Sequence, residues 1–245
     1  MMSDTHINAA GLDFQALNKK IRQTAGDIQI EGCCGQRYIG AGQSGRTITI
    51  HGTPGNALGA YMDGAVIVVR GNAQDAVGDT MNDGRIIVHG NAGDALGYGI
   101  RGGAIYIRGG AGYRTGIHMK EYQEKKPVIV VGGRAGSFLG EYMAGGLIIV
   151  LGIGAEGDVP VGNFTGTGMH GGAIYIRSSV QPTCLPAQVT LEEALPEDKR
   201  AIAAPVAEYA GLFGADADEL LSGTFYLLRP NAKNPYHTLY AAHLR

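Results

Sequence analysis

Short runs in which Ile and Val alternate with other residues recur along the chain: DIQIEG, TITIHG, VIVVRG, IIVHG, IYIRG, VIVVG, IIVLG and IYIRS. They end at Gly32, Gly52, Gly71, Gly90, Gly109, Gly132, Gly152 and Ser178, with spacings of 20, 19, 19, 19, 23, 20 and 26 residues. Counting back from each end, the second position reads Ile30, Ile50, Val69, Val88, Ile107, Val130, Val150, Ile176. The fourth reads Ile28, Ile48, Ile67, Ile86, Ile105, Val128, Ile148, Ile174. Side chains two apart on a strand share a face, so every run predicts a strand with one apolar face in the same register. A fixed period of this length marks a repeat architecture, in which each unit buries its apolar face only against its neighbours.

Two further apolar columns stand between the strands. One reads Ile39, Leu58, Val77, Leu96, Thr115, Leu139, Val161, and the other Met62, Met81, Ile100, Met119, Met143, Met169. Recurrence at one position of the repeat makes the methionines core filler rather than metal ligands. About nineteen residues at roughly 3.3 Å each give a perimeter near 60 Å, which suits a three-sided coil rising roughly 4.8 Å per turn. The segments between strands, such as GNAQDAVGDTMNDG, are too rich in Gly and Asx for a returning helix. The predicted fold is all-β, a parallel β-helix (solenoid) of about seven coils.

Of the 41 glycines, 36 fall between Gly32 and Gly172. Four stretches, GAGQSG, GYGIRG, GIGAEG and GTGMHG, match the G-x-G-x-x-G spacing of dinucleotide-binding loops. That chemistry requires a strand before the loop and a helix after it, whose free N–H groups hold the pyrophosphate. GYGIRG runs directly into the strand-like GAIYIRG, and GIGAEG is followed by DVPVGNFTGTG, which cannot start a helix. The glycines are read instead as corners, where the backbone takes positive φ or stacked coils crowd.

A G-x-x-G-x-x-x-G pattern repeats as Gly52/Gly55/Gly59, Gly90/Gly93/Gly97, Gly109/Gly112/Gly116 and Gly133/Gly136/Gly140. Together with IEGCCGQRYIGAG (30–42), it resembles the glycine-repeat domain at the C-terminus of the glutamate synthase large subunit. It is also similar to the glycine-repeat subunit of formylmethanofuran dehydrogenase. The resemblance covers residues 27–177 and implies a right-handed β-helix that organises catalytic parts without supplying catalytic residues. A free-standing chain of this kind resembles one subunit of a three-part glutamate synthase or N-methylglutamate synthase, and the tail FYLLRPNAKNPYHTLYAAHLR is in keeping with that. The resemblance further implies an amidotransferase-type subunit and an FMN-binding synthase-type subunit as partners, with FMN and an iron–sulfur cluster held there and no cofactor in this chain. The corresponding glycine-repeat subunit of a formylmethanofuran dehydrogenase-like complex is the alternative.

The residues offer no chemistry of their own. The chain begins Met1-Met2-Ser3, without the N-terminal Cys nucleophile of such amidotransferases. Cys33 and Cys34 are adjacent and Cys184 is distant, a spacing that fits neither an iron–sulfur cluster nor a zinc site. His51 and His89 occupy equivalent strand-end positions two coils apart, too far to share a metal. His118 and His170 lie in loops without an evident partner, and Asp63, Asp83 and Asp94 read as turn residues. A formal charge of -2 gives no electrostatic reason to expect nucleic acid or an anionic membrane as partner. The head reads as having no signal peptide, no apolar run is long enough to span a bilayer, and a cytoplasmic location is expected. A free-standing β-helix that binds or modifies carbohydrate would need acidic residues grouped along a groove and a secretory signal, and neither is found.

The third position back from each strand end, which faces outward, reads Gln29, Thr49, Val68, Ile87, Tyr106, Ile129, Ile149, Tyr175. It is polar in the first two coils and apolar in the remaining six, so this wall needs a cover, either a partner or the chain's own tail. Val68, Ile87, Tyr106, Ile129, Ile149 and Tyr175 are therefore candidate interface residues. Two enlarged coils, GIHMKEYQEKKP and GDVPVGNFTGTGMHG, add Tyr122 and Phe164, because insertions in repeat proteins gather on binding faces. The chain divides into a cap helix (1–26, with Leu12, Leu17 and Ile21 on one face), the repeat domain (27–180) and a mixed helical and extended tail (181–245). Within the tail, PEDKRAIAAPVAEYAGLFG and ADADELLSG read as helices and TFYLLRP as a strand.

Overall fold

In the computed structural model, which describes residues 5–231, successive turns of the chain stack into a β-solenoid on a single sheet of 11 strands. Strand β1 (Thr5–Asn8) and helix α1 (Phe14–Gln23) come first. Eight strands follow, one per coil: β2 (Ile28–Cys34), β3 (Thr47–Thr53), β4 (Asp63–Val69), β5 (Asp83–Val88), β6 (Ala104–Ile107), β7 (Val128–Val131), β8 (Ala144–Val150) and β9 (Gly171–Arg177). From β1 to β9 each strand pairs in parallel with the next. Strand β10 (Val189–Glu193), helices α2 (Pro196–Phe213) and α3 (Ala217–Ser222) and strand β11 (Phe225–Pro230) complete the described chain. Met1–Ser3 and the tail sequence beyond Asn231 lie outside the described residues.

The strand register gives two unbroken inward columns. The first is isoleucine throughout: Ile28, Ile48, Ile67, Ile86, Ile105, Ile129, Ile148, Ile174. The second is Ile30, Ile50, Val69, Val88, Ile107, Val131, Val150, Ile176. All sixteen are 0–1 % exposed. The β7 coil thus corrects the sequence reading by one residue. Ile129 and Val131 point inward and Val130 outward, so Ile129 belongs to the interior and not to the outer wall. The corner glycine of that coil is Gly133, because Gly132 fills the strand-end slot that Arg108 fills one coil earlier. The Met column is buried as expected. The Ile39–Leu139 column ends in Thr165 rather than Val161, since Gly166 N–H donates to Leu139 C=O as Gly140 N–H does to Thr115 C=O. The hydroxyls of buried Thr115 and Thr165 donate to Gly112 and Gly162 C=O, both at 3.2 Å.

One repeat explains the spacing of three glycines. A Cβ on Gly109 would collide with Asn91 Oδ1, and one on Gly112 with Asp94 Oδ1. These carboxamide and carboxylate oxygens accept from Gly110 N–H (2.7 Å) and Tyr113 N–H (2.8 Å) of the next coil. Asn72 and Asp75 do the same one coil earlier, for Asn91 and Asp94 N–H. The third glycine faces the interior, where Gly116 meets Ile148 Cδ1. Its equivalent, Gly97, has φ +67, and a Cβ there would lie 2.5 Å from Ile129 Cδ1. The pattern therefore records two polar ladders and one apolar contact.

Both ends of the stack are closed. At the N-terminal end Leu17 and Ile21 of α1 join the solenoid core, as their spacing predicts. Asp13 caps the helix by accepting from Ala16 N–H at 2.7 Å, and Arg46 donates to Ile21 C=O (3.0 Å) and to Thr24 C=O. At the C-terminal end β11 runs antiparallel to β9, with β10 outside it, and Leu228 completes the core. These caps keep the apolar core at each end out of water, while β1 and β10 remain the edge strands of the sheet.

Substituting Gly97→Ala should cost about 2–5 kcal/mol, combining a left-handed alanine with overpacking against Ile129. Gly42→Ala, at φ +66 with no atom within 4 Å of the added Cβ, should cost only about 1–2 kcal/mol. Ile129→Val removes the clashing methyl, so in denaturant melts the Gly97→Ala/Ile129→Val double variant should lose less than the sum of the two singles. Strict additivity would show that the isoleucine contact is not what excludes a side chain at Gly97.

Candidate protein-interaction surface

The apolar outer wall is covered by the chain itself. Ile202, Val206 and Tyr209 of α2 pack on Ile87, Tyr106, Val130, Ile149 and Tyr175 in a second buried cluster. Polar groups fix the helix in place. Tyr106 Oη donates to Glu208 Oε2 at 2.8 Å, while Glu208 Oε1 pairs with Arg85 Nε at 2.9 Å. Tyr175 Oη donates to Asp198 C=O at 3.1 Å, and Tyr209 Oη to Arg108 C=O at 3.0 Å. Burial pushes the Tyr209 hydroxyl up to about 12 and raises Tyr106 further, so both stay protonated donors.

This corrects most of the expected interface. Ile87, Tyr106, Ile149 and Tyr175 are 0–6 % exposed beneath α2, and Ile129 is inside the solenoid. Val68 is half-buried at the margin of the covered cluster. The same packing explains the misread register, because a Cβ on Gly132 would coincide with Tyr209 Oη. The covering helix removes the basic or polar residue that otherwise marks a strand end.

The opposite situation holds at the turn-rich corners. Residues immediately before the buried Ile39–Thr165 and Met columns adopt left-handed φ, including Tyr38, Tyr61, His118, Phe138, Tyr142 and Phe164 at +52° to +62°. Tyr38, Tyr61, Tyr98, Tyr142 and Phe164 are 39–61 % exposed. The coil rise sets equivalent rings at stacking distance. Phe138 and Phe164 stack with centroids 5.1 Å apart, His118 and Tyr142 at 5.2 Å, and Tyr98 meets His118 edge-on at 5.7 Å. Arg114 ties the two columns together, its guanidinium 5.1 Å above Phe138 and its Nε 3.1 Å from Glu141 Oε2. Of this surface the sequence reading names only Phe164. The available signal is the aromatic or histidine residue directly before Ile39, Met62, Met119, Leu139, Met143 and Thr165; the other coils carry Ala, Thr, Arg or Gly there.

Tyr122, at 53 % exposed, tips a tight turn in which Tyr122 and Lys125 bridge. From that turn Lys125 reaches back to Asp83 Oδ2 (2.9 Å), Asp63 Oδ1 (3.5 Å) and Asn82 C=O (3.3 Å). The lysine beside Asp83 holds its carboxyl below the usual carboxylate range. Asp83 also accepts from Gly84 N–H at 2.7 Å, as its turn role predicts, whereas Asp63 serves the lysine.

Chemistry-bearing clusters are absent from the described residues. No group of three or more His, Cys, Asp or Glu side chains there could hold a metal, and no helix is long and apolar enough to cross a membrane. Cys33 is buried against Gln36, its thiol pushed up to about 11 by desolvation, while Cys34 and Cys184 are exposed. His51 lies 3.7 Å from Glu31, and His89 Nε2 lies 2.7 Å from Arg70 Nη1. That donor keeps the His89 ring neutral, with its proton on Nδ1. Burial together with Arg70 and Arg108 lowers its pKa, and Phe213 of α2 packs edge-on at 5.2 Å.

The GXGXG motif family model matches residues 12–227. An uncharacterized protein of Methanocaldococcus jannaschii is 42% identical over 257 residues, spanning 99% of this chain and 98% of its own length. A chain of the formyltransferase/hydrolase complex from Methylorubrum extorquens, solved in complex with methylofuran, matches with a TM-score of 0.61. That match covers 92% of this chain and 91% of that chain at 22% identity, a likeness of fold.

Two outcomes follow from the covered wall. Gly132→Ala should displace Tyr209 and cost about 2–3 kcal/mol. Hydrogen exchange should then rise in α2 while β2–β4 stay protected; uniform exchange across both would refute a local anchor. His89 is harder to protonate folded than unfolded, so its contribution to stability is present above about pH 6.5 and is lost as pH falls below that, through the lowered pKa of the folded state. Melting temperature should drop over that range, and His89→Gln should flatten the drop.

Proposed function

The chain belongs to the GXGXG motif family, and from that premise we propose that it is a non-catalytic scaffold subunit of a multi-subunit enzyme complex. The observation that carries this reading is the aromatic corner surface. Exposed Tyr and Phe side chains with an arginine among them have the composition of a protein interface core. They stand on a rigid solenoid whose own apolar wall is already covered. A row of stacked rings held at left-handed positions is pre-organised, so docking orders few side chains.

The finer assignment is a glutamate synthase-type complex, for glutamate or N-methylglutamate. Its partners are an amidotransferase-type subunit and an FMN-binding synthase-type subunit that also holds the iron–sulfur cluster, assembled in the cytoplasm. A second reading, the glycine-repeat subunit of a formylmethanofuran dehydrogenase-like complex, is favoured by the fold likeness to a chain of the formyltransferase/hydrolase complex.

Affinity purification of the tagged chain from its native cell tests both. Recovery of an amidotransferase with a flavin- and iron–sulfur-bearing protein supports the first assignment. Recovery of chains bearing a tungsten or molybdenum centre moves the assignment to the second, and recovery of the chain alone, stable and monodisperse, refutes the scaffold role. Within a recovered complex, Tyr98→Ser/Tyr142→Ser/Phe164→Ser should keep the fold and weaken partner binding at least about 30-fold, the loss expected if even one of the three is a hot spot worth about 2 kcal/mol.

A further inference from the structure

At the C-terminal end of the solenoid, the β8–β9 connection, the end of β9, helix α3 and the α3–β11 link line a cavity of about 350 Å³. A second lobe of about 450 Å³ adjoins it and shares Glu156, Arg177 and Glu219. Arg177, the last residue of β9, is fixed there. A Cβ on Gly223 would lie 2.5 Å from its Nε, and its Nη1 donates to Leu151 C=O at 3.3 Å. Its Nε is buried against Gly223 without a hydrogen-bond partner and out of a ligand's reach, and among the described residues no carboxylate comes within 4.0 Å of the guanidinium. Yet two carboxylates line both lobes, while a third, Asp216 in the second lobe, is engaged as the cap of α3. Glu156 is held by Gly154 N–H at 3.2 Å, and Glu219 projects from α3.

A fixed arginine facing two carboxylates that it does not touch is an arrangement for a ligand carrying both charges. A simple anion would meet Glu156 and Glu219, and a simple cation would meet Arg177. A small zwitterion satisfies both sides, its carboxylate on the guanidinium fork and its ammonium between the glutamates. The second lobe adds Ile153 and Leu220, which offer apolar surface to a side chain. We propose that this cavity binds a free α-amino acid. The site is independent of the aromatic corner surface and of any partner subunit. Because it is built from the solenoid and from the segment that covers it, a bound ligand would tighten the hold of α2 and α3 on the stack.

Titration calorimetry on the full chain tests this with glycine, L-leucine and L-glutamate, using propionate and propylamine as single-charge controls. At least one amino acid should bind, with both controls at least about tenfold weaker. Glu219→Gln, on the exposed side of a short helix, and Arg177→Gln should each weaken that binding at least about tenfold. A thermal melt of each variant without ligand establishes that it is folded. No binding by any of the three amino acids at roughly 10 mM, a Kd beyond any useful site, would overturn the proposal. So would propionate binding as tightly as the amino acids, or unchanged affinity in the folded Glu219→Gln variant.

Discussion

The structure depends on how close two walls of the coil come together. The interior is so thin that the Cδ1 of the isoleucines from Ile67 to Ile174 in the first inward column presses on a glycine across the core, as Ile129 does on Gly97 and Ile148 on Gly116. A side chain on either glycine would push the walls apart, and the coils above and below would have to follow. The same closeness fixes the opposite end of each turn, where Asn and Asp oxygens fill the space that glycine leaves and accept N–H groups of the next coil. Interiors packed at this density admit no ligand. Whatever the protein recognises must be recognised on its outside.

The outside is divided between two solutions for apolar surface. On the strand wall, large outward residues from β5 to β9 are removed from water by α2, each burial contributing about 1.5–3 kcal/mol. In β2 and β3 the outward residues are Gln29 and Thr49, and no cover is needed. At the turn corners the aromatics stay exposed, and their mutual stacking removes only part of their surface. Among the described residues, one apolar wall is buried by the chain's own helix and the aromatic corners stay exposed.

Much of this is legible in the sequence because it is periodic. Most of the inward columns, the methionine filler, the cap helix, α2, α3 and β11 follow from spacing and from one residue type recurring in one place, whereas strands β1 and β10 carry no such signal. What is illegible comes from contacts that periodicity does not carry. The β7 register slips because Gly132 looks like a corner, whereas it is glycine because a Cβ there would meet both the Arg108 carbonyl of the preceding coil and the hydroxyl of Tyr209, 77 positions later in the chain. The cover of the outer wall narrows to tail or partner, since the pattern shows that a wall needs covering without showing what covers it. Tyr38, Tyr61, Tyr142 and Phe164 escape a linear reading because a left-handed φ turns each of them outward from between buried neighbours, and alternation does not encode that reversal.

Identical coils present identical surfaces, so a perfectly regular solenoid could not tell one partner from another. Recognition must come from departures from the repeat, and these gather at one end. The two enlarged coils, the glycine that admits Tyr209, the Arg114–Phe138–Phe164 stack and the cavity around Arg177 all lie beyond Gly109. Coils nearer the N-terminus keep the short period, although Ile87 and Tyr106 of their outer wall lie beneath α2 and Tyr38, Tyr61 and Tyr98 are exposed at their corners. The N-terminal half is thus held in register by repetition, while most of the residues that break the repeat stand in the C-terminal half.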